Sequence, residues 1–448
     1  MRIRTHGFQH IISRLALALT FAAACLQAPA VSAARLSVIS GPGDSARPAA
    51  PKTAYLPMIA QGSAVSAEFN ISQTLSDGAQ RNTIAFDGLA FLTGNLGSDS
   101  FFPPGKVADF WGFQFLRDND PSKMGHNTDF LTRAANNMLV TLTAEQRAAL
   151  VTLAQAQVAD INLYAEKRFI LMQAFIRLMN GDLPERTTGL NKSAVQAYSA
   201  ELYQLDGTIS YQRAQLMGSV LANLTASQKA YLDAMVGNGM LTWPVVAEPD
   251  DLRGLDHDVK VAVMTYAGDL YSWYAGSVEA DVYFCPERQG TYFGSFYMKD
   301  APAVGNPNYT ISSSLTADMG DAFLKALTPT QAGLITGLVT SQKAALYEIV
   351  TRRQDVSVLL RKFIAGSTPD PAAVQTAMGR YGELDGEIIY LLATAFAQVS
   401  QSLSADQRTA IVKMRTDLLG DLSYPTGAFI YAAPIALPDV PSTDFLFK

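Results

Sequence analysis

Leu142-Thr143-Ala144-Glu145-Gln146 recurs as Leu327-Thr328-Pro329-Thr330-Gln331, at an offset of 185, and Leu224-Thr225-Ala226-Ser227-Gln228 recurs as Leu403-Ser404-Ala405-Asp406-Gln407, at an offset of 179. Between these anchors Ala194-Val195-Gln196 is matched by Ala373-Val374-Gln375, and Leu205-Asp206-Gly207 by Leu384-Asp385-Gly386. Upstream, Phe102, Pro104, Lys106, Gly112, Arg117 and Asp118 match Phe284, Pro286, Arg288, Gly294, Lys299 and Asp300, all at 182. A repeat that keeps its order and a near-constant spacing predicts two copies of one unit. Each five-residue anchor is a capping box. The Thr or Ser side chain accepts a backbone N–H of the first turn, and Gln three residues on reaches back to the cap's own N–H, contributing about 1 kcal/mol per helix start. The preceding Leu is expected to enter the core. It lacks an apolar staple partner, because the residue four after the cap is Arg147, Lys229 or Arg408 in three of the four copies. On the residues alone the motif marks helix starts and nothing more.

Apolar periodicity around the anchors predicts an all-α protein of two tandem homologous helical-bundle units, each with a long antiparallel helix hairpin and an aromatic Pro/Gly loop. The units span 66–243 and 252–422, joined by Trp243-Pro244 through Asp250-Asp251. Opening helices are expected at 76–93 and 257–275, aromatic loops at 98–127 and 280–312, and short helices at 129–140 and 314–326. Long helices follow at 144–180 and 329–365, second long helices at 193–222 and 371–401, and last helices at 226–236 and 405–419. Pro329 and the Asp370-Pro371 pair are cap-then-proline starts. Residues 34–65 read as a flexible lead-in. The tail over 423–448, with Pro425, Pro434, Pro438 and Pro441, is expected to run extended and pack back through Phe429, Tyr431 and Phe445.

With four such motifs, at 142–146, 224–228, 327–331 and 403–407, the chain resembles the Spy/CpxP family of periplasmic LTxxQ proteins. Members carry two motifs flanking a long helical hairpin and form a cradle-shaped homodimer. The resemblance implies an all-α exported protein tied to envelope stress, chaperoning of unfolded clients or metal response, and a tandem copy that mimics the family's dimer within one chain.

Residues 1–33 read as a secretion signal: Arg2, Arg4 and Arg14, an apolar run from Leu15 to Cys25, and Val31-Ser32-Ala33 as a cleavage site. This predicts a periplasmic protein. A lipid anchor at Cys25 is the alternative, although Ala22-Ala23-Ala24 lacks the usual Leu. Removing the signal removes three arginines and no acid, so the net charge moves from −6 to −9. That balance excludes nucleic acid, whose phosphates need a basic surface, and argues against anionic membranes. No later stretch reads as a membrane span. Cys285 would then be the single cysteine, which rules out an internal disulfide.

The duplicated aromatic loops are the leading candidate for binding, since aromatic rings offer rigid contact area and basic groups can hold an anion. Their candidate residues are Lys106, Trp111, Arg117 and Asp118 in the first copy and Arg288, Phe293, Lys299 and Asp300 in the second. The structural alternative is that the loops cap the bundles, with Arg117–Asp118 and Lys299–Asp300 as local ion pairs. His126 with Asp118 and Asp120 is a candidate metal group, and His257 lies between Asp256 and Asp258. Asp118-Asn119-Asp120-Pro121-Ser122 starts like a calcium loop but has Lys123 in place of the sixth-position Gly. Arg168 and Asp206 fall at equal heights of the first hairpin, and Arg353 and Asp385 repeat the arrangement, which predicts a cross-hairpin ion pair in each unit. No phosphate loop, Gly-x-Ser-x-Gly or haem-attachment motif occurs. The readings carried forward are an envelope binding or chaperone-like protein with unfolded or envelope protein clients, a metal- or cofactor-dependent enzyme sited between the loops, and a structural envelope component. No particular cofactor is indicated.

Overall fold

The four boxes begin helices in the computed structural model, which describes residues 75, 77–93, 129–236, 242–275, 314–420 and 439–448. From the first half of the chain come α1 Asp77–Leu92, α2 Asp129–Thr141, α3 Ala144–Asn180, α4 Lys192–Ala222 and α5 Ala226–Asp233. The second half supplies α6 His257–Ala275, α7 Ser314–Ala326, α8 Pro329–Thr336, α9 Leu338–Arg361, α10 Pro371–Ser402 and α11 Ala405–Gly420. Short 3-10 turns cover Asp250–Leu252 and Asp444–Leu446. Among the described residues the protein is all-helical, its one extended pairing being an isolated bridge between Leu190 and Phe447. No described helix is long and apolar enough to cross a membrane. The aromatic loops, the lead-in, the signal segment and residues 421–438 of the tail lie outside the described residues.

Local chemistry explains the helix ends. Asn191 caps α4 by accepting the N–H groups of Ser193 and Ala194, and Asp370 caps α10 ahead of Pro371. Gly181 and Gly366 take the left-handed conformation, with φ of 74° and 75°. At the first, Asp182 N–H reaches Arg177 O at 2.9 Å; at the second, Ser367 N–H reaches Lys362 O at 2.9 Å. Both are glycine stops in which a following N–H satisfies an open carbonyl. One expectation needs refining: the helix over 329–365 is broken at Gly337 into α8 and α9 and ends at Arg361. The hydrogen-bond ladder nevertheless runs through the break, with Gly337 N–H on Gly333 O at 2.9 Å and Ser341 N–H on Gly337 O at 3.2 Å.

α3 and α4 run antiparallel, since Gln157 meets Ile209 O at 3.1 Å and Tyr198 meets Lys167 O at 3.1 Å. The most extensive packing joins α4 to α10, and glycine makes it possible. A Cβ on Gly382 would stand 2.6 Å from Ser199 O and 2.9 Å from Ala200 Cα, and one on Gly386 would stand 2.7 Å from Gln196 Cα. The contacts are reciprocal between repeat-equivalent positions: Gly207 faces Met378 and Gln375, while Gly386 faces Ser199 and Gln196. Tyr203 and Tyr381 meet edge-on at the crossing, with centroids 4.6 Å apart.

The opening helices change sides. α1 packs chiefly on α7, α8, α9, α10 and α11, all from the second half, whereas α6 packs on α2, α3, α4 and α5, all from the first. Arg81–Asp321 at 2.7 Å and Lys343–Asp77 at 2.9 Å fasten α1, and Arg213–Asp269 at 3.1 Å fastens α6. One apolar core therefore runs through all the described helices, within a single compact unit.

Gly382→Ala is expected to destabilise by about 1–3 kcal/mol, because the new methyl meets backbone that cannot give way. Gly268→Ala, with nothing within 4 Å of its Cβ, should instead stabilise by about 0.5–1 kcal/mol. Urea unfolding midpoints of the two variants check both signs.

Candidate functional site

In every box the cap is reciprocal. Thr143 Oγ1 accepts Gln146 N–H at 3.2 Å while Thr143 N–H donates to Gln146 Oε1 at 2.9 Å. The same pair of bonds closes Thr225–Gln228, Thr328–Gln331 and Ser404–Gln407. Leu142, Leu224, Leu327 and Leu403 are all buried. The glutamines also reach each other. Gln228 Nε2 donates to Gln146 Oε1 at 2.8 Å and to Thr141 O, at the end of α2, at 2.9 Å. Gln407 Nε2 donates to Gln331 Oε1 at 2.8 Å and to Ala326 O, at the end of α7, at 3.0 Å.

Each glutamine pair thus joins two helix starts to the carbonyl end of a third helix, groups that no helix can satisfy internally. Arg147 and Arg408, which spoil the apolar staple, cap carbonyls instead. Arg147 donates to Leu142 O at 2.6 Å and Leu139 O at 3.2 Å, and Arg408 donates to Ser400 O. Arg147 also holds Asp251 at 2.7 Å. The motif is more than a helix-start signal. What sequence reasoning missed was the meeting of paired boxes, and the signal available was that their glutamines recur two per unit.

A buried polar array lines the long helices. Arg168, Asp206, Arg353 and Asp385 are 2%, 6%, 0% and 0% exposed. Arg353 donates to the Tyr381 hydroxyl at 2.5 Å, and its guanidinium lies 5.4 Å from the Tyr381 ring centroid. Asp206 Oδ1 accepts the Ser210 hydroxyl at 3.2 Å, and Arg213 donates to Ser210 Oγ at 3.3 Å while pairing with Asp269 of α6. Tyr266 of α6 donates to Gln157 Oε1 at 2.5 Å, and Gln157 donates to Gln212 at 2.8 Å. Gln342, the repeat counterpart of Gln157, donates to Gln80 of α1 at 3.0 Å. Arg213, Asp269, Gln157 and Tyr266 were not singled out from sequence. The available hint was Arg213, seven residues and so two turns beyond Asp206 on one helix face.

The tail docks on the turn between α3 and α4. Thr188 N–H donates to Lys448 O at 2.6 Å, Lys448 N–H to Gly189 O at 2.9 Å and Asn191 N–H to Leu446 O at 2.7 Å. Leu446 and Phe447 provide the buried anchors, while Phe445 is largely exposed and meets only the edge of the body, its ring 5.6 Å from Tyr198. The sequence pointed to Phe445, but the 3-10 turn Asp444–Leu446 leaves Phe445 outward and buries Leu446 and Phe447, which follow it. Phe429 and Tyr431 lie outside the described residues. Arg177 stands over the Phe447 ring at 5.1 Å and pairs with Asp444 at 2.7 Å. That hydrogen bond holds the Asp444 carboxyl below its ordinary range.

Of the other residues singled out from sequence, Lys106, Trp111, Arg117, Asp118, Asp120, His126, Arg288, Phe293, Lys299 and Asp300 lie outside the described residues. Among the described residues no group of three or more His, Cys, Asp or Glu side chains is placed to hold a metal ion. No known protein family, curated protein or solved structure matches the chain.

Gln228→Ala should cost about 1–3 kcal/mol, because it strands partly buried donors and acceptors. In a double-mutant cycle with Gln146→Ala, the combined loss should fall short of the sum by about 0.5 kcal/mol or more. Unfolding free energies provide the readout.

A carboxyl depressed in the folded state stabilises above its unfolded pKa, and that contribution is lost as pH falls through the folded value. Amide exchange at Leu446 and Phe447, corrected for intrinsic rates, should therefore lose protection below the usual carboxylate range. In Asp444→Asn, protection should already be weaker at neutral pH and should change less with acid.

Proposed function

We propose that the chain is an exported helical binding protein of LTxxQ type, chaperone-like in action, serving unfolded or envelope protein clients in the periplasm. In this reading two copies of one helical unit are fused, and a single chain takes the place of the family's dimer. One observation carries the proposal: the box glutamines pair two by two, Gln228 with Gln146 and Gln407 with Gln331, each at 2.8 Å. The same side-chain job is done in both copies of the repeated pattern. The reciprocal contacts of Gly207 and Gly386 support the fusion in the same way. The cross-hairpin ion pairs Arg168–Asp206 and Arg353–Asp385 belong to this proposal. Their support is that all four charges are buried, a state that demands opposite charge nearby.

The α4–α10 interface is filled by Tyr203, Tyr381 and Met378. We assign binding to the duplicated aromatic stretches, in which Lys106, Trp111, Arg117 and Asp118 are matched by Arg288, Phe293, Lys299 and Asp300. The metal- or cofactor-dependent alternative rests on these stretches too, since His126, Asp118 and Asp120 belong to the first.

The test is light scattering of reduced insulin in the presence of the purified protein. Aggregation should be suppressed at a few-fold molar excess, and Trp111→Ala with Phe293→Ala should weaken the suppression. Unchanged aggregation at several-fold excess would reject the chaperone reading.

A further inference from the structure

We infer that the two halves of this chain are each other's binding partners, each offering a helical groove that accepts the other's opening helix, so that the covalent joint between them is dispensable once they have assembled. The partner such a groove fits is a second copy of the same kind of half, presenting an amphipathic helix with a buried polar side chain.

Four sets of contacts carry this. First, α1 lies on second-half helices and α6 on first-half helices. Second, each exchanged helix is recognised by a buried glutamine at the equivalent place: Gln342 holds Gln80 of α1 at 3.0 Å, and Gln157 holds the Tyr266 hydroxyl of α6 at 2.5 Å. These bonds select a register, because a buried amide left without its partner is costly. Third, ion pairs fasten both helices, Arg81–Asp321 and Lys343–Asp77 for α1 and Arg213–Asp269 for α6. Fourth, α4 and α10 interlock through glycine, and the C-terminal residues dock on the turn of the first half.

The joint is anchored by its own contacts on both sides of Val245, and those contacts do not need the chain to be continuous there. Trp243 is buried against Tyr271, with ring centroids 5.1 Å apart. Val245 is 83% exposed, and the chain then closes on the body through Glu248, held by Lys260 at 2.7 Å, Asp251, held by Arg147 at 2.7 Å, and the buried Leu252. Asn137 Nδ2 on Pro244 O at 2.9 Å and Asn136 Nδ2 on Val246 O at 3.3 Å hold the joint to α2. What the joint supplies is effective concentration, which makes association of the halves intramolecular.

The experiment uses the full chain with a protease recognition sequence inserted between Val245 and Val246. After cutting, both fragments should co-elute at the size of the intact protein. The urea midpoint should now rise with protein concentration, whereas that of the uncut protein should not. Two solvent-accessible cysteine pairs, Asp77→Cys with Lys343→Cys and Arg81→Cys with Asp321→Cys, at positions whose side chains meet at 2.9 and 2.7 Å, should each be joined across the cut by a short reducible thiol-to-thiol cross-linker. The fragments then run as one full-length band without reductant and as two with it. Separation of the fragments on a native column would overturn the proposal, as would resistance of the joint to the protease. So would cross-links found only at twice the chain mass. The unsubstituted cut protein keeps the test decisive if a cysteine variant fails to fold. None of these outcomes depends on chaperone activity.

Discussion

The distance between α4 and α10 governs what the rest of the protein can do. At Gly382 and Gly386 the backbone of one helix lies almost against the backbone of the other, closer than any Cβ would allow. Such an approach multiplies small dispersion contacts and leaves no room for water. Everything near the crossing is consequently enclosed. Tyr203 meets Tyr381, Arg353 finds the Tyr381 hydroxyl, and Asp385 is shut in beside Gly386. Buried charge is tolerable only where opposite charge and hydrogen bonds are at hand, so the close crossing also restricts which polar residues its surroundings can carry.

A second constraint acts at the helix ends. Short helices such as α2, α5, α7 and α8 leave a large share of their backbone groups unsatisfied. Here those groups are gathered at two points, where paired capping boxes meet the carbonyl ends of α2 and α7. A helix start, a second helix start and a helix stop are tied by one pair of glutamine side chains. Arg147 and Arg408 complete the arrangement by turning back to preceding carbonyls. Charge at this position suits the carbonyl end of a helix dipole, which explains why an apolar staple is not needed.

The exchange of α1 and α6 turns two similar segments into one folded body. Neither half retains its own opening helix, and the polar groups that meet the exchanged helices, Gln157 and Gln342, lie deep in the other half's core. A buried polar pair is a poor source of stability but a good selector of partner and register, and selection is what a helix crossing between halves requires. The C-terminal residues add a further crossing, closing the turn between α3 and α4 from the opposite end of the chain.

Helix positions were legible in the amino-acid order because their causes are local. Capping boxes, the Asp370-Pro371 start and glycine stops act within a few residues, and the apolar period does the rest. Equal heights of Arg168 and Asp206, and of Arg353 and Asp385, pointed to ion pairs, but that all four are buried is a matter of helix face, which height along a helix does not give. The inward turn of Leu446 and Phe447 was not legible either, since it answers to the turn between α3 and α4, distant in sequence. The candidate binding residues of the aromatic stretches remain a reading of composition and repetition. By itself, then, the sequence determined where the capped helices begin and that one pattern occurs twice. Only the tertiary structure decided that the opening helices trade sides, that the boxes meet in pairs and that glycines bring α4 against α10. Those outcomes depend on which surfaces can approach closely enough to exclude water, and that is a property of shape rather than of order along the chain.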